Sequence, residues 1–171
     1  ANRAAAFNFH SRRNFMLGER IKRFLDENHV SYEFISHPRE FSSTRTCQSA
    51  HVPGNEFAKT VILKMDGRLV MCVVTANQMV FPGYMKNFFN AKNIEIASES
   101  DFKNAFPDCE VGAMPPFGNL YGVDEFISMD LTRDEYIAFN AGSHTELIRM
   151  KFSDFEKLVH PRIVNLHYNW R

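Results

Sequence analysis

The chain has 171 residues, 20 basic and 20 acidic side chains, 44% hydrophobic residues and 17 phenylalanines. This balance excludes a disordered segment, and no run approaches the roughly 20 apolar residues that a membrane-spanning helix needs. Charge is uneven: residues 1–23 hold six basic groups and one acid, leaving 14 basic and 19 acidic groups in the remainder, which argues against a DNA-binding or general nucleic-acid-binding body.

Residues 1–15, "ANRAAAFNFHSRRNF", lack acids and weakly resemble an organellar transit segment; the alternatives are a cloning remnant or an over-long start. They are set apart as an extension, and residues 16–171 are expected to form one domain. From Met16, "MLGERIKRFLDENHV" puts Leu17, Ile21, Phe24 and Leu25 on one helical face, with Asn28 as a stop. "SYEFISHP" reads as a short strand. Ser42, Ser43 or Thr44 caps a second helix through about Ala50, and "HVPGN" is a turn.

"AKTVILKM" and "RLVMCVVTA" are β-rich runs joined by Asp66-Gly67, a hairpin signal because a type I′ turn needs positive φ at both central positions. Their continuous hydrophobicity implies cover on both faces. "QMVFPGYMKNFFNA" is ambiguous, with a helix start near Pro82-Gly83. "NIEIAS" reads as a strand, and "SESDFKNAF" as a helix capped by Ser98 or Ser100. "EVGAMPPFGN" follows a run that reads as a strand, and Glu110 is expected as an exposed strand residue. "DEFISMD", "EYIAFNAG" and "HTELIRMKF" are further strands, "SDFEKLV" is a helix with Ser153 as N-cap, and "PRIVNLHYNWR" packs or frays. Helices interleaved with hairpin-linked strands predict an α+β domain with a mixed, largely antiparallel sheet flanked by helices.

Most reactive-site patterns fail. The seven histidines form no HExxH, HxH or HxxxH, and the three cysteines (Cys47, Cys72, Cys109) form no CxxC. No metal site is therefore expected, and the cysteines fit a reducing, cytoplasmic setting. No GxSxG, GxxxxGK[ST] or GxGxxG occurs. Cys47 and His51 are four apart and would share a helical face, the spacing of a thiolate–imidazolium pair, so a thiol hydrolase is one reading. Lys59 opens an apolar strand and reads either as a strand-end cation reaching solvent or as a charge aimed at a pocket.

In order along the chain, "HPREF", "VPGNEFAKTVILKMDG", "GAMPPFGN", "FNAGSHTELIRM" and "FSDFEKL" resemble the YbaK/prolyl-tRNA deacylase family, from about Leu17 to Val159. The resemblance implies a sheet curled around a small pocket, no cofactor, and hydrolysis of the ester joining a wrong small amino acid (Ala, Ser, Thr or Cys) to tRNA, with tRNA-Pro one acceptor. The family lysine matches Lys59. The GxxxP loop matches Gly112, Ala113, Met114, Pro115 and Pro116, and the pocket histidine of synthetase editing domains matches His144. Its implied catalytic parts are Lys59 and the backbone amides of Gly112, Ala113 and Met114, with Phe117 and Gly118 as further donors, because fixed donors stabilise the oxyanion of ester hydrolysis. Pro115, Pro116, Phe117, Gly118, Phe139, Ser143 and His144 are the expected substrate-binding set, with Met114 also a lining side chain. Arg45 and Lys64 are expected tRNA contacts. The implied partners are the aminoacyl-tRNA acceptor end and, in one reading, a synthetase; the competing reading is a non-catalytic aminoacyl- or tRNA-binding module of the same fold.

Overall fold

The computed structural model describes residues 16–166, so the extension at 1–15 and the last residues of the tail lie outside the described residues. The elements run α1 (Glu19–Glu27), β1 (Tyr32–Ser36), α2 (Ser43–Ala50), β2 (Ala58–Met65), β3 (Arg68–Thr75), α3 (Pro82–Phe88), β4 (Ile94–Ile96), α4 (Glu99–Phe102), β5 (Asp124–Ser128), β6 (Tyr136–Asn140), β7 (Glu146–Lys151), α5 (Phe152–Val159) and β8 (Arg162–Val164). The expected α+β class holds. One sheet has the order β1-β7-β6, all antiparallel; the other has the order β4-β2-β3-β5-β8, in which the β3–β5 and β5–β8 pairs are parallel. Among the described residues one isolated bridge, Phe57 to Ala138, joins them, with the Ala138 N–H donating to the Glu56 carbonyl.

The hairpin forms as its sequence dictates. Asp66 and Gly67 take φ 48° and 82°, and all eight residues of β2 pair with β3. Alternation along β2 then sorts its side chains. Ala58 and Ile62 enter the main core with Ile21, Leu25, Met71, Val73, Phe117, Phe139 and Phe155. Leu63 and the half-buried Val61 face a second cluster with Cys72, Val74, Met85 and Phe126. Phe57 lies in a third, under α2, with Cys47, Ala138 and Leu147.

Three local expectations are corrected, and one left open is decided. The first helix starts at Glu19, not Met16, because Gly18 sits in left-handed backbone (φ 67°) against Ala141. Leu17 therefore lies outside the helix and is exposed. Ser153 does not cap α5: β7 runs straight into the helix after Lys151, and the Phe152 N–H is taken by the Glu135 carbonyl. The stretch before "GAMPPFGN" is a series of turns, not a strand, since the Glu110 N–H pairs with the lone carbonyl of Gly142 rather than with a ladder. The start of the tail packs: β8 runs parallel to β5 and buries Val164 and Leu166. Elsewhere Ser42 caps α2, accepting from the Arg45 N–H, and Ser98 and Asp101 form a reciprocal capping box on α4.

Two glycines test the packing differently. A Cβ on Gly18 would lie 2.0 Å from the Ala141 carbonyl oxygen, whereas one on Gly67 meets nothing within 4 Å. Gly18→Ala should cost about 3 kcal/mol by chemical denaturation, adding a backbone clash to left-handed strain. Gly67→Ala should cost about 1 kcal/mol, the strain alone. Equal losses would contradict the close approach of α1 to the β6–β7 turn.

Candidate functional site

The turn at 110–118 is built by backbone exchange with one glycine. The Glu110 N–H donates to the Gly142 carbonyl (2.8 Å), the Gly142 N–H donates to the Ala113 carbonyl (3.0 Å), and the Ala113 N–H closes back on the Glu110 carbonyl (3.0 Å). Gly142 can serve because its φ is 91°, and a Cβ there would lie 2.7 Å from the Gly18 nitrogen. Gly112, at φ 83°, is the exposed apex with Val111, while Ala113 through Gly118 are buried.

Of the expected backbone donors, three are already engaged. Ala113 is paired as above, the Phe117 N–H donates to the Pro115 carbonyl (2.8 Å), and the Gly118 N–H donates to Glu125 Oε2 (2.7 Å). The N–H groups of Gly112 and Met114 have no acceptor among the described residues. Pro115 and Pro116 offer no N–H and fix φ on either side of that gap.

His144 stands directly over the apex. Its ring lies within ordinary contact distance of a Cβ built on Gly112. Nε2 is 2.8 Å from the Val111 carbonyl oxygen, which only accepts, so Nε2 carries the proton and Nδ1 the lone pair. The Phe41 ring packs on it at 4.8 Å between centroids.

Glu110 is not the exposed strand residue expected from the sequence. Its Oε2 accepts the His144 backbone N–H at 2.7 Å, and Arg39 bridges both its oxygens at 3.0 and 3.2 Å. Burial works against its charge, but the His144 amide and the Arg39 guanidinium outweigh it and hold the carboxyl below its ordinary range. No local spacing marks this pair, since Glu110 and His144 are 34 residues apart. Ser143 is buried beside them, its hydroxyl within 3.2 Å of the Thr145 hydroxyl and 3.4 Å of Glu146.

Lys59 leaves β2 on the same side as Phe57 and Val61, opposite to Ala58 and Ile62 and hence to Met114 and Phe117. Its Nζ donates to the Gln78 carbonyl at 2.6 Å, and no hydrogen bond joins it to the 110–118 turn among the described residues. Half-buried, its ammonium is disfavoured by desolvation, which lowers its pKa. The parallel bridge Phe57–Ala138 sets Lys59 level with Asn140, two residues on in each strand, where β2 and β6 begin to part. Asn140 Oδ1 is buried there without a partner. The chain from Asn140 leads on to Gly142 and His144, which hold the turn.

The other expected residues are placed as follows. Met114, Phe117 and Phe139 are core side chains; Phe117 packs on Phe24, Phe139 and Phe155 at centroid distances of 5.4–6.1 Å, so its ring is committed to packing. Lys64 is bound to Asp101 at 3.1 Å, and Arg45 is exposed on α2. Cys47 and His51 are not brought together as a catalytic pair. Cys47 is buried against Phe57 and Leu147, where desolvation raises its thiol pKa, and His51 is the exposed, left-handed C-cap of α2. No group of three or more metal-ligating side chains occurs among the described residues.

Comparison with known proteins gives consistent results. The model of the aminoacyl-tRNA editing domain matches residues 37–158. A proline–tRNA ligase of Bacillus cereus (strain G9842) is 26% identical over 93 residues, 54% of this chain and 16% of the ligase. Another, from B. cereus strain B4264, is 27% identical over 103 residues, 60% of this chain and 18% of the ligase. The chain thus spans about a sixth of the length of the curated relatives it matches. The crystal structure of a proposed trans-editing enzyme for prolyl tRNA synthetase superposes with a TM-score of 0.76 at 13% identity, covering 89% of this chain and 97% of that one. The hypothetical protein APE2540 superposes with a TM-score of 0.75 at 12% identity, covering 86% and 98%.

Glu125 provides a test of the turn's anchoring. Its Oε1 is buried without a partner, and desolvation, only partly offset by the Gly118 N–H, pushes its carboxyl up to about 8. The unfolded chain ionises near 4.5, so unfolding is favoured progressively as pH rises from about 4.5 to about 8. Across that window the wild type should lose stability relative to Glu125→Gln, at up to about 1.4 kcal/mol per pH unit. Parallel stability–pH curves for the two would refute it.

Proposed function

This chain belongs to the aminoacyl-tRNA editing domain family, and from that premise we propose that it is a trans-acting hydrolase of the ester in mischarged aminoacyl-tRNA, working in the cytoplasm. The observation that carries the reading is the apex at Gly112, where two backbone N–H groups lack acceptors inside a turn that the Glu110–Gly142–Ala113 exchange holds rigid.

Ester hydrolysis places negative charge on the former carbonyl oxygen, and donors already in place stabilise it without reorganisation. The exposed Gly112 amide receives that oxygen, with the Met114 amide as second donor once the substrate has displaced its cover. His144 donates to the Val111 carbonyl and so orients the apex; its Nδ1 lone pair can hold the attacking water. Lys59 neutralises the terminal phosphate of the acceptor end. The substrates are small amino acids (Ala, Ser, Thr or Cys, with tRNA-Pro as one acceptor). Shape alone separates such side chains weakly, at about 1–3 kcal/mol per methylene. The Cys47 thiol takes no part, being buried and poorly ionised.

Single-turnover hydrolysis of Ala, Ser, Cys and Thr esters of tRNA-Pro tests this assignment. Lys59→Met should slow hydrolysis by on the order of 10²-fold, the scale of losing one electrostatic stabiliser. The same change should hold or raise stability, because burial makes the ammonium unfavourable to the fold at neutral pH. Full activity in Lys59→Met would remove the lysine from the mechanism. Cys47→Ala should retain activity, and its loss would revive the thiol reading.

A further inference from the structure

No carboxylate acts on Lys59 among the described residues; its Nζ donates to the main-chain carbonyl of Gln78 at 2.6 Å. An ammonium carries three protons, so this neutral acceptor uses one and leaves two, with the full charge, for a ligand. A carboxylate in the same place would cancel much of that charge. A carbonyl therefore suits an amine assigned to a phosphate, provided that the carbonyl itself stays in place.

What keeps it in place is the Gln78 side chain. The β3–β5 ladder ends at the pair Val73–Ile127, and the Thr75 N–H lies beyond it. Gln78 Oε1 accepts that N–H at 3.0 Å, and the Gln78 N–H returns to the Thr75 carbonyl at 3.1 Å. On its other side, Gln78 Nε2 donates to Asp130 Oδ2 at 2.7 Å. Asp130 is held in turn: its N–H donates to Ser128 Oγ at 3.3 Å, and Oδ1 lies 3.3 Å from Arg133. Between Thr75 and Gln78, the Ala76 N–H donates to the Gly54 and Phe57 carbonyls, both at 3.1 Å. Gln78 thus ties the end of β3 to the turn at Met129–Arg133 that follows β5, and all four of its polar atoms are engaged. An apolar side chain of the same length would fill the space and make neither side-chain bond.

We infer that Gln78 is the positioning residue of Lys59, its side-chain bonds to Thr75 and Asp130 holding the carbonyl on which the amine rests. A lysine side chain has many rotamers, and an amine fixed in advance spares their loss when a substrate arrives. The consequence for hydrolysis rests on the role proposed above for Lys59, whereas the coupling of Gln78 to the amine is independent of turnover.

Two measurements test it. In the first, the Lys59 Cε signal, identified by its absence in Lys59→Met, is titrated by proton–carbon NMR over about pH 7 to 11. Of the titratable groups, Cys72 on β3 acts on the amine directly, and Asp130 and Arg133 lie beyond Gln78. In Gln78→Met the amine is released toward water and its desolvation eases, so its midpoint should rise by about 0.5 pH unit or more. In the second, single-turnover ester hydrolysis should slow about 10-fold in Gln78→Met, less than in Lys59→Met. Gln78→Glu alone sets a second carboxylate against Asp130 and should also slow hydrolysis. The double variant Gln78→Glu, Asp130→Asn exchanges donor and acceptor across the same bridge and keeps the total charge. It should bring the midpoint back and restore the rate to within about 2-fold of wild type. Damage to packing alone would not be repaired by that exchange. A midpoint that does not rise in Gln78→Met, or a folded double variant no faster than Gln78→Glu, would overturn the inference. A midpoint raised by Gln78→Met and restored by the exchange, in a protein that hydrolyses no ester, would uphold the positioning and remove the enzymatic reading instead.

Discussion

Gly142 is the residue through which the candidate site is assembled. Its carbonyl and amide hold the two ends of the Glu110–Ala113 turn, and its left-handed backbone lies against Gly18 at the start of α1. Three segments that are far apart in sequence are thus fixed by backbone groups at one point. A second tie runs through Asp108, whose carboxylate accepts the Arg20 amide at 3.2 Å and the Tyr121 hydroxyl at 3.0 Å, with its own carbonyl taken by the Gly18 N–H. The apex amides of Gly112 and Met114 are left over while the Ala113 N–H between them closes on Glu110.

Charge is arranged around this point so that each buried ion has a stated partner or a stated cost. Glu110 stays ionised because an amide and a guanidinium face it. Glu125 has only one amide and rises toward neutrality. Lys59 is opposed by burial and holds one carbonyl. A lysine under that desolvation gains more from a phosphate than an exposed one would, since its charge is screened less by water.

Much of the fold was legible in the sequence because it is local. The Asp66-Gly67 hairpin, the Ser42 cap and the spacing of Ile21 and Leu25 each express a rule of a few residues, and the structure follows them. The turn at 110–118 was legible as stiff backbone, but not as to which amides stay unpaired, since that depends on Gly142, about thirty residues on. Glu110 looked like a solvated strand residue for the same reason. Phe117 and Phe139 looked like pocket lining because a sequence full of phenylalanine does not reveal which rings meet one another in the core. The face from which Lys59 emerges required the strand register, and α3 was ambiguous because its apolar residues point both inward and outward.

The isolated bridge between Phe57 and Ala138 gives the described residues a seam. Separating β2 from β3 would break an eight-residue ladder, whereas parting β2 from β6 breaks one isolated bridge, of which the Ala138 N–H to Glu56 carbonyl bond is part. Lys59 and Asn140 flank that seam at its open end. Thermal breathing of the domain is therefore cheapest in backbone bonds along the line that separates the lysine from the strand carrying the turn's glycine and histidine, and the width of that gap can adapt while both sheets keep their own registers.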